Sequence, residues 1–341
     1  MSETQNHRVV VARRGGPDVL QLVEEDLPEP DAGEARVKVF AAGVSAYDVM
    51  LRSRKFPRFP RPPFTPGEDI VGVIDRLGEG TVGVAVGDMV AGWTMGRGGG
   101  YTEYICMPAQ EVVPVPPGVD PAEAVAVVVN YLTAHLALHG TAGVREGERI
   151  LVHGAAGGVG SALVQLGKLA GLEVYGTASQ PKHDVVAELG ATPIDYRNED
   201  FVERIRRLTG DGVDVVFDPV AGARQLLRSY RALRTGGRLV LLGMVSSEEN
   251  GIKAIPFSLL TVGLLKLLPD GKKVPLSGGM EELPKDHARY RETLSGFLDS
   301  LAAGKIKPVM ADRIPLAEAA RAHELLENGT RSGKVVLLTG N

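Results

Sequence analysis

The chain has 341 residues, more than a single hydrophobic core usually organises, so two domains are predicted. Its 44% hydrophobic and 23% charged residues exclude a disordered, collagenous or coiled-coil protein. The formal net charge of -4 removes the overall positive charge on which nucleic-acid-binding proteins usually depend, so nucleic acid is not a predicted partner.

The cysteine content and the N-terminus indicate the cellular compartment. Cys106 is the single cysteine, which excludes an internal disulfide and a cysteine-rich zinc site. Residues 1–13 mix polar and charged side chains and lack the apolar core of a secretory signal. A cytoplasmic protein is therefore predicted.

The first third of the chain has the pattern of a β-rich domain. Short apolar segments separated by turns rich in Gly, Pro and Asp predict strands at 9–12, 35–41, 70–77, 89–93 and 104–107. Five prolines within residues 52–67 forbid a continuous helix there and predict an extended loop. The same segment contains five basic residues, which we interpret as a solvated loop, with a membrane-surface or nucleic-acid patch as the alternative.

Beyond residue 122 strands and helices alternate. Short buried strands are predicted at 150–152, 173–177, 193–195, 213–217 and 238–243. This alternation predicts a parallel sheet with crossover helices. The tail is predicted to form two helices and a strand, near 290–303, 316–328 and 334–338, and to return to the first domain.

Two long apolar segments raise the question of a membrane. Residues 124–144 contain no Asp, Glu, Lys or Arg but include several polar side chains, so a buried helix is predicted. Residues 259–268 are too short to span a bilayer and include Lys266, which favours a pocket wall or a subunit contact. No integral membrane insertion is expected.

The strongest local motif lies between a predicted strand and a helix at residues 149–171. The dinucleotide fingerprint G-x-G-x-x-G falls on Ala155, Gly157 and Gly160, with alanine in the first place. Gly157 has no Cβ to obstruct a pyrophosphate, Gly160 allows close packing, and the N–H groups of the helix start attract phosphate. The segment therefore predicts cofactor binding by Ala155, Gly157, Gly158, Val159 and Gly160, with a purely structural turn as the alternative.

The end of the next strand predicts which dinucleotide binds. NAD enzymes usually place an Asp or Glu there to accept the ribose hydroxyls. Here residues 178–183 contain no acid, whereas Ser179 and Lys182 offer a hydroxyl and a cation to a 2′-phosphate. NADPH is the predicted cofactor, and a solvated lysine at a helix start is the alternative interpretation of Lys182.

Six short motifs occur in order along the chain: GVSAYD at 43–48, PFTPGEDIVG at 63–72, NYLTA at 130–134, HGAAGGVG at 153–160, DPV at 218–220 and GKVV at 333–336. Together they resemble the medium-chain dehydrogenase/reductase superfamily, specifically its zinc-independent, quinone oxidoreductase-like branch. The resemblance implies an α/β fold with a GroES-like β-rich catalytic domain, 1-123 plus 281-341, into which a Rossmann doubly wound parallel-sheet domain, 124-280, is inserted. It also implies a homodimer.

The resemblance also implies whether the protein binds zinc and which reaction it catalyses. Zinc-bearing relatives have a cysteine where Ser45 stands and a histidine where Glu68 stands, together with a lobe that needs four cysteines. One carboxylate cannot hold Zn²⁺, so no metal site is predicted. The zinc-free relatives instead imply NADPH-dependent hydride transfer to a small-molecule quinone or α,β-unsaturated carbonyl compound.

Further cofactor residues are implied by the same resemblance. Tyr196 is expected beside the 2′-phosphate and Thr133 near the nicotinamide, while Val220, Gly243 and Lys334 are expected along the cofactor cleft. Tyr196 could instead cap a sheet edge, and Thr133 could bond the backbone of its own helix.

Three polar residues are the catalytic candidates. Ser45, Tyr47 and Asn130 could hydrogen-bond a substrate carbonyl oxygen as it gains negative charge, while the product's protons come from water. Family members often carry Asn where Ser45 stands, which leaves that contact open, and Tyr47 could equally be a packed aromatic residue. Asp48 is predicted to be structural, accepting backbone donors in its turn.

Two other functions stay open. Enoyl-thioester reductases resemble this fold but use a tyrosine acid at a position that falls on Phe56, and phenylalanine cannot donate a proton. Some relatives act chiefly as NADPH-binding structural or membrane-associated proteins with little turnover. The apolar segment 259–268 and the basic loop 52–61 favour that second alternative.

Overall fold

A computed structural model of the chain describes residues 5–53, 59–242, 255–275, 280 and 283–340. They pack into two units, Met1–Leu132 with Leu283–Asn341 and Thr133–Glu282. The domain boundaries at 123/124 and 280/281 stay a prediction, and helix α2 (Pro121–His135) runs without a break through the first of them.

The first unit is β-rich. Strands β1 (Gln5–Val11) and β2 (Leu20–Asp26) form an antiparallel pair. A larger mixed sheet contains β3 (Glu34–Val44), β4 (Asp69–Leu77), β5 (Met89–Trp93), β6 (Tyr104–Pro108), β7 (Val112–Pro114), β13 (Met310–Pro315) and β14 (Lys334–Leu338). Its strand order is β13-β14-β3-β4-β5-β7, with β6 pairing to β3.

The C-terminal segment closes this sheet. Strand β14 pairs antiparallel with β3, with Val335 opposite Val44, so the tail returns to the first unit as the sequence predicted. Alternate residues of these strands bury their side chains in one core, which includes Val37, Ile70 and Leu337. Burial of such side chains supplies about 1.5–3 kcal/mol each.

Helices of the first unit pack around the sheet. They are α1 (Ala46–Ser53), α8 (His287–Ala302) and α9 (Ala319–Asn328). Arg52 of α1 is fully buried; its guanidinium donates to Glu327 Oε1 at 2.6 Å and lies 3.4 Å from His323 Nδ1. The prediction that Arg52 belongs to a solvated loop was therefore wrong: α1 extends to Ser53, and Arg52 ties it to α9.

The second unit is a parallel α/β fold. Its strands are β8 (Arg149–His153), β9 (Glu173–Ala178), β10 (Thr192–Asp195), β11 (Val213–Asp218) and β12 (Leu233–Leu241), all paired in parallel. In the order β10-β9-β8-β11-β12, successive strands are added on one side of β8 and then on the other, so the topological switch point lies between β8 and β11. Ligands of doubly wound sheets bind at the carboxyl ends of the strands beside this point.

Helices connect these strands as the alternation predicted. They are α3 (Gly158–Leu169), α4 (His183–Glu188), α5 (Phe201–Thr209) and α6 (Ala223–Ala232), and a further helix, α7 (Ile255–Lys266), follows β12. The α2 helix continues as a π-helix from Leu136 to Ala142, and its total span, Pro121–Ala142, is long and apolar enough to cross a membrane. Because 72% of its most apolar window is buried inside the fold, the predicted buried helix at 124–144 is confirmed.

Candidate active site

A tight loop joins β8 to α3 in the second unit. Gly154 has a φ of +66°, in the left-handed region that favours glycine, and the chain turns there directly after β8. The N–H of Ala155 donates to the carbonyl oxygen of Thr177 at 3.1 Å, which fixes the loop against β9. Gly157 is the N-cap of α3, and Gly158 and Val159 lie in its first turn.

The two later glycines of this loop have different surroundings. A Cβ on Gly160 would lie 2.1 Å from the Gly154 oxygen and 2.9 Å from Ala155 Cα, so this glycine permits close packing of helix and loop. A Cβ on Gly157 would meet only the Gly154 oxygen, at 3.3 Å, which leaves the remaining space beside the helix start open. The loop therefore fits a dinucleotide pyrophosphate, whose charge the exposed N–H groups of α3 would stabilise.

A buried polar network supports the loop from below. His153 Nδ1 lies 2.9 Å from Thr177 Oγ1, and its Nε2 lies 3.1 Å from Ser229 Oγ. Ser229 in turn donates to Asp218 Oδ2 at 2.7 Å. Burial lowers the pKa of His153, which favours the neutral ring in this network. Thr177 and Ser229 hold the site together, and the sequence reasoning missed both.

Asp218 also shapes the turn that follows β11. Its Oδ1 accepts the N–H groups of Val220 at 2.8 Å and Ala221 at 3.2 Å. Ala221 has a φ of +55°, a strained value for a residue other than glycine, and the carboxylate stabilises it. Val220 is thereby fixed at the carboxyl edge of the sheet, whereas the predicted cofactor residue Gly243 lies outside the described residues.

Two basic residues meet where β9 and β10 end. Ser179 and Lys182 follow β9, and Tyr196 and Arg197 follow its parallel neighbour β10. Burial lowers the pKa of Lys182, and the positive charge of Arg197 lowers it further. The Arg197 guanidinium also lies 5.8 Å from the centroid of the Tyr196 ring. The sequence reasoning missed Arg197, although it directly follows Tyr196.

Two cations held close together repel each other, so a bound anion stabilises both. This end of the sheet contains the predicted 2′-phosphate residues Ser179, Lys182 and Tyr196, with Arg197 as a second cation. The arrangement fits a phosphate group.

The first unit contains a different polar group, which we call the carboxylate cluster: Asp48, Glu68 and Asp69 with Lys334. All four side chains are buried. Lys334 Nζ donates to Asp69 Oδ2 at 2.8 Å, so its ammonium, which was expected along the cofactor cleft, is ion-paired inside the first unit. A Cβ on Gly43 would lie 2.4 Å from Asp69 Oδ1, so glycine is required beside this pair.

Asp48 and Ser45 form a capping box at the start of α1. Ser45 Oγ accepts the N–H of Asp48 at 3.2 Å, and Asp48 Oδ2 accepts the Ser45 N–H at 2.8 Å. Ser45 Oγ also donates to the same carboxylate oxygen at 2.6 Å, and the N–H of Gly67 donates to Oδ1 at 2.8 Å. The predicted structural role of Asp48 is confirmed, and the Ser45 hydroxyl gives its hydrogen to Asp48.

Glu68 has two oxygens in unlike environments. Its Oε2 accepts from Gly96 N at 2.9 Å, Thr94 Oγ1 at 3.1 Å and Trp93 Nε1 at 3.3 Å. Its Oε1 is buried and has no hydrogen-bond partner. Burial, together with the charge of Asp48, raises the pKa of Glu68 to about 7. The sequence reasoning treated Glu68 only as the replacement for a zinc-binding histidine.

The remaining candidates lie on α1 and α2. Tyr47 is 39% exposed and contacts the Phe59 ring edge to face, with centroids 6.1 Å apart. Burial and the charges of the neighbouring carboxylates raise the pKa of Tyr47, so its phenol is neutral and can donate a hydrogen bond. Asn130 is buried and Thr133 half-buried, three residues apart and thus on one face of α2.

The donor set of the cluster does not fit zinc. Zinc favours tetrahedral thiolate and imidazole ligands. Here the Lys334 ammonium is ion-paired with Asp69, and the Ser45 hydroxyl donates a hydrogen bond to Asp48. Across the described ranges of the chain, no group of three or more His, Cys, Asp or Glu side chains could hold a metal ion.

The chain is similar to known proteins over nearly its whole length. Residues 31–117 match a family model described as an alcohol dehydrogenase GroES-like domain, and residues 189–337 match one described as a zinc-binding dehydrogenase. The quinone oxidoreductase of Rattus norvegicus is 32% identical over 333 residues, which cover 95% of each protein. The chain belongs to the zinc-independent, quinone oxidoreductase-like family of medium-chain dehydrogenases/reductases.

Two further similarities extend this assignment. The synaptic vesicle membrane protein VAT-1 homolog of Danio rerio is 32% identical over 97% of this chain and 69% of that protein. A solved mycobacterial structure complexed with NADPH is 29% identical and has a TM-score of 0.84, covering 97% of this chain and 99% of its own. The predicted GroES-like and Rossmann fold is confirmed, and this family member is an oxidoreductase.

Replacing Glu68 with Gln tests the charge state of the carboxylate cluster. The ordinary pKa of this carboxyl is 4.5 and the folded value is about 7, so between these values the folded state binds more protons than the unfolded state. Wild-type stability therefore loses about 3 kcal/mol as pH rises from 4.5 to 7, and Glu68→Gln removes this loss.

The measurement is the free energy of unfolding of both proteins from pH 4 to 8. The difference, variant minus wild type, should grow across pH 4.5 to 7 and be constant on either side. A difference that does not change with pH would mean that Glu68 has the same pKa in the folded and unfolded states.

Proposed function

We propose that this oxidoreductase binds NADPH and transfers hydride, without a metal ion, to quinones or α,β-unsaturated carbonyl compounds. The observation that carries the cofactor choice is the pair of cations, Lys182 after β9 and Arg197 after β10, together with the lack of an acid at residues 178–183, where an NAD enzyme places one. A mycobacterial relative complexed with NADPH and a rat relative named quinone oxidoreductase support the proposal.

The cofactor would be held along the carboxyl edge of the parallel sheet. The glycine loop and the N–H groups of α3 bind its pyrophosphate, and the cations after β9 and β10 bind its 2′-phosphate. When bound, NADPH supplies hydride from nicotinamide C4. The proposed cofactor residues are Thr133, Ala155, Gly157, Gly158, Val159, Gly160, Ser179, Lys182, Tyr196, Val220, Gly243 and Lys334, with Arg197 added.

The substrate carbonyl needs hydrogen-bond donors as it gains negative charge. Tyr47 is the most suitable candidate, because its phenol is neutral and its side chain is partly exposed. Asn130 offers an amide N–H₂ on α2. Ser45 acts mainly by positioning, because its hydroxyl hydrogen is already donated to Asp48. Removing one such donor typically costs about 10²–10³-fold in turnover.

We expect Lys182→Ala to weaken NADPH binding by about ten- to a hundredfold, since one charge-assisted hydrogen bond contributes about 1.5–3 kcal/mol. NADH binding should change little, because NADH lacks the 2′-phosphate. Calorimetric titration of both nucleotides measures this, and Lys305→Ala, an exposed lysine of the first unit, is the matched control. If the variant lost affinity for NADPH and NADH equally, Lys182 would not be a ligand of the 2′-phosphate.

The substrate class is tested by following NADPH oxidation with a simple quinone, an alkyl enone and an enoyl-CoA in parallel. We expect turnover of the first two, and we expect Tyr47→Phe to lower kcat/KM about 10²-fold while leaving NADPH binding intact. Preference for the enoyl-CoA would favour the enoyl-thioester reductase alternative. Turnover of none, despite NADPH binding, would favour the non-catalytic alternative.

The surface of α7 supports a homodimer as part of this proposal. The exposed side chains of α7 and of the turn that follows it are largely apolar, including Phe257, Leu260 and Leu264 of the helix and Leu267 of the turn, with exposures of 66%, 61%, 58% and 80%. Apolar patches of this kind mark contact surfaces. An apolar face without counter-charges can be complementary to itself, as a two-fold symmetric contact requires. A cytoplasmic location belongs to the same proposal.

Introducing charge on this face should dissociate the dimer. We expect light scattering to give twice the chain mass of 36.2 kDa for the wild type, and the single-chain mass for the double variant Leu260→Glu, Leu264→Glu. A wild-type monomer that sediments with phosphatidylcholine–phosphatidylserine vesicles would instead favour the membrane-associated alternative, consistent with the name of the zebrafish relative.

A further inference from the structure

The carboxylate cluster contains more negative groups than positive ones. Asp69 is neutralised by Lys334, 2.8 Å away. Asp48 has no cation but accepts hydrogen bonds from three donors, the N–H and hydroxyl of Ser45 and the N–H of Gly67. Glu68 has neither a cation nor donors to both of its oxygens. Burial raises the pKa of both Asp48 and Glu68, and of these two only Glu68 has a buried oxygen that receives no hydrogen bond.

The hydrogen bonds of Glu68 indicate where its proton lies. Three donors point at Oε2, which is the pattern of an acceptor oxygen. Oε1 is equally buried and receives none. An ionised Oε1 would be a buried charge without a donor, whereas a protonated Oε1 is itself a donor. The described residues provide no acceptor for it, so a ligand oxygen that reaches this buried atom would supply the missing acceptor.

The charges that face Glu68 come from several elements. Asp48 and the phenol of Tyr47 come from α1, and Asp69, the first residue of β4, directly follows Glu68 and is paired with Lys334 of β14. Both aspartates disfavour a further negative charge on Glu68. Tyr47 is the partly exposed member of this neighbourhood, so it marks the side from which a substrate reaches the cluster.

We propose that Glu68 is the acid that protonates the substrate carbonyl oxygen during reduction. The proposal rests on the proposed function and replaces water as the immediate proton donor. As the β-carbon of an enone accepts hydride, the electron pair of the double bond shifts toward the carbonyl oxygen. The Oε1–H bond of Glu68 breaks, the enol O–H bond forms, and the carboxylate left behind regains a proton from solvent. The enol then tautomerises to the saturated ketone.

The kinetic test is the pH dependence of kcat/KM for an alkyl enone. Because the protonated form is the active one, wild-type kcat/KM should fall as pH rises above about 7. Glu68→Gln keeps a hydrogen-bond donor but cannot give up a proton, so we expect about a 100-fold loss and no descending limb. Glu68→Asp, which keeps the acid, should restore part of the activity and the limb.

Two further variants separate proton donation from a structural role. Thr94→Val removes a hydrogen bond that lowers the pKa of Glu68, so the descending limb should move to higher pH without a comparable loss of activity. Glu111→Gln is the matched control, because Glu111 is a buried carboxyl outside the cluster, paired with Arg97. Glu111→Gln should change neither kcat/KM nor the descending limb of its pH profile.

A spectroscopic readout tests the protonation state without any turnover. The infrared spectrum of the protein alone at pH 6 should contain a protonated-carboxyl C=O band that fades above pH 7. Glu68→Gln should lack this band, and Glu111→Gln should retain it. Absence of the band from the wild type would overturn the proposal even if the kinetic variants were impaired.

The outcomes distinguish this proposal from the function on which it rests. If the wild type reduces enones and Glu68→Gln matches its rate and pH profile, the role of Glu68 is wrong and the proposed function stands. If the wild type reduces no quinone or enone, the proposed function is wrong and the role of Glu68 fails with it. If Glu68→Gln does not fold, the limb shift in Thr94→Val decides.

Discussion

The buried ion pair between Asp69 and Lys334 is the constraint on which the first unit depends. It joins the start of β4 to the start of β14, residues 265 positions apart in sequence. The pair lies beside Gly43, where there is no room for a side chain. The desolvation of both ions makes such a pair weak evidence of stability, but removing one partner would leave a buried charge at a typical cost of about 3–5 kcal/mol. The pair thus fixes how the C-terminal strand joins the sheet.

The same pair determines the chemistry around it. Lys334 is ion-paired with Asp69, and burial of Glu68, together with the charge of Asp48, raises the pKa of Glu68 to about 7. In the second unit the neighbouring charges are positive, since the charge of Arg197 lowers the pKa of Lys182. The two proposed sites therefore have opposite electrostatic character, and the proposed ligands differ accordingly, a proton in the first unit and a phosphate in the second.

The sequence predicted the parts of this protein that depend on local patterns. The alternating strands of the second unit, the loop at 154–160 and strand β14 each have a continuous signal. Strand β2 was missed because its side chains are mostly half-buried or exposed and rich in acids. Helix α1 was missed although Ser45 and Asp48 have the spacing of a capping box, because the helix is short and a proline-rich segment follows it closely.

The candidate sites also differ in whether their residues are neighbours in sequence or are brought together only by the fold. The glycine loop could be found because all its members are neighbours in sequence, and Arg197 could have been found by extending the prediction one residue beyond Tyr196. The carboxylate cluster could not, because it combines residues from α1, β4 and β14 whose proximity only the sheet register establishes. Nor does sequence reveal that one Glu68 oxygen has three donors and the other none.

Buried acidic residues without a cation reduce stability, so a fold that contains one has given up free energy that a glutamine would retain. Glu68 is surrounded by donors that would serve an amide oxygen equally well, since Trp93, Thr94 and Gly96 all point at a single oxygen atom. The packing therefore does not require an acid at this position. What distinguishes a carboxyl group from an amide there is the ability to release a proton, and that difference is useful only if something accepts it. The substrate carbonyl oxygen, which gains negative charge during hydride transfer, is such an acceptor. The free energy lost by burying the Glu68 carboxyl is thus accounted for by its proposed role in reduction with NADPH.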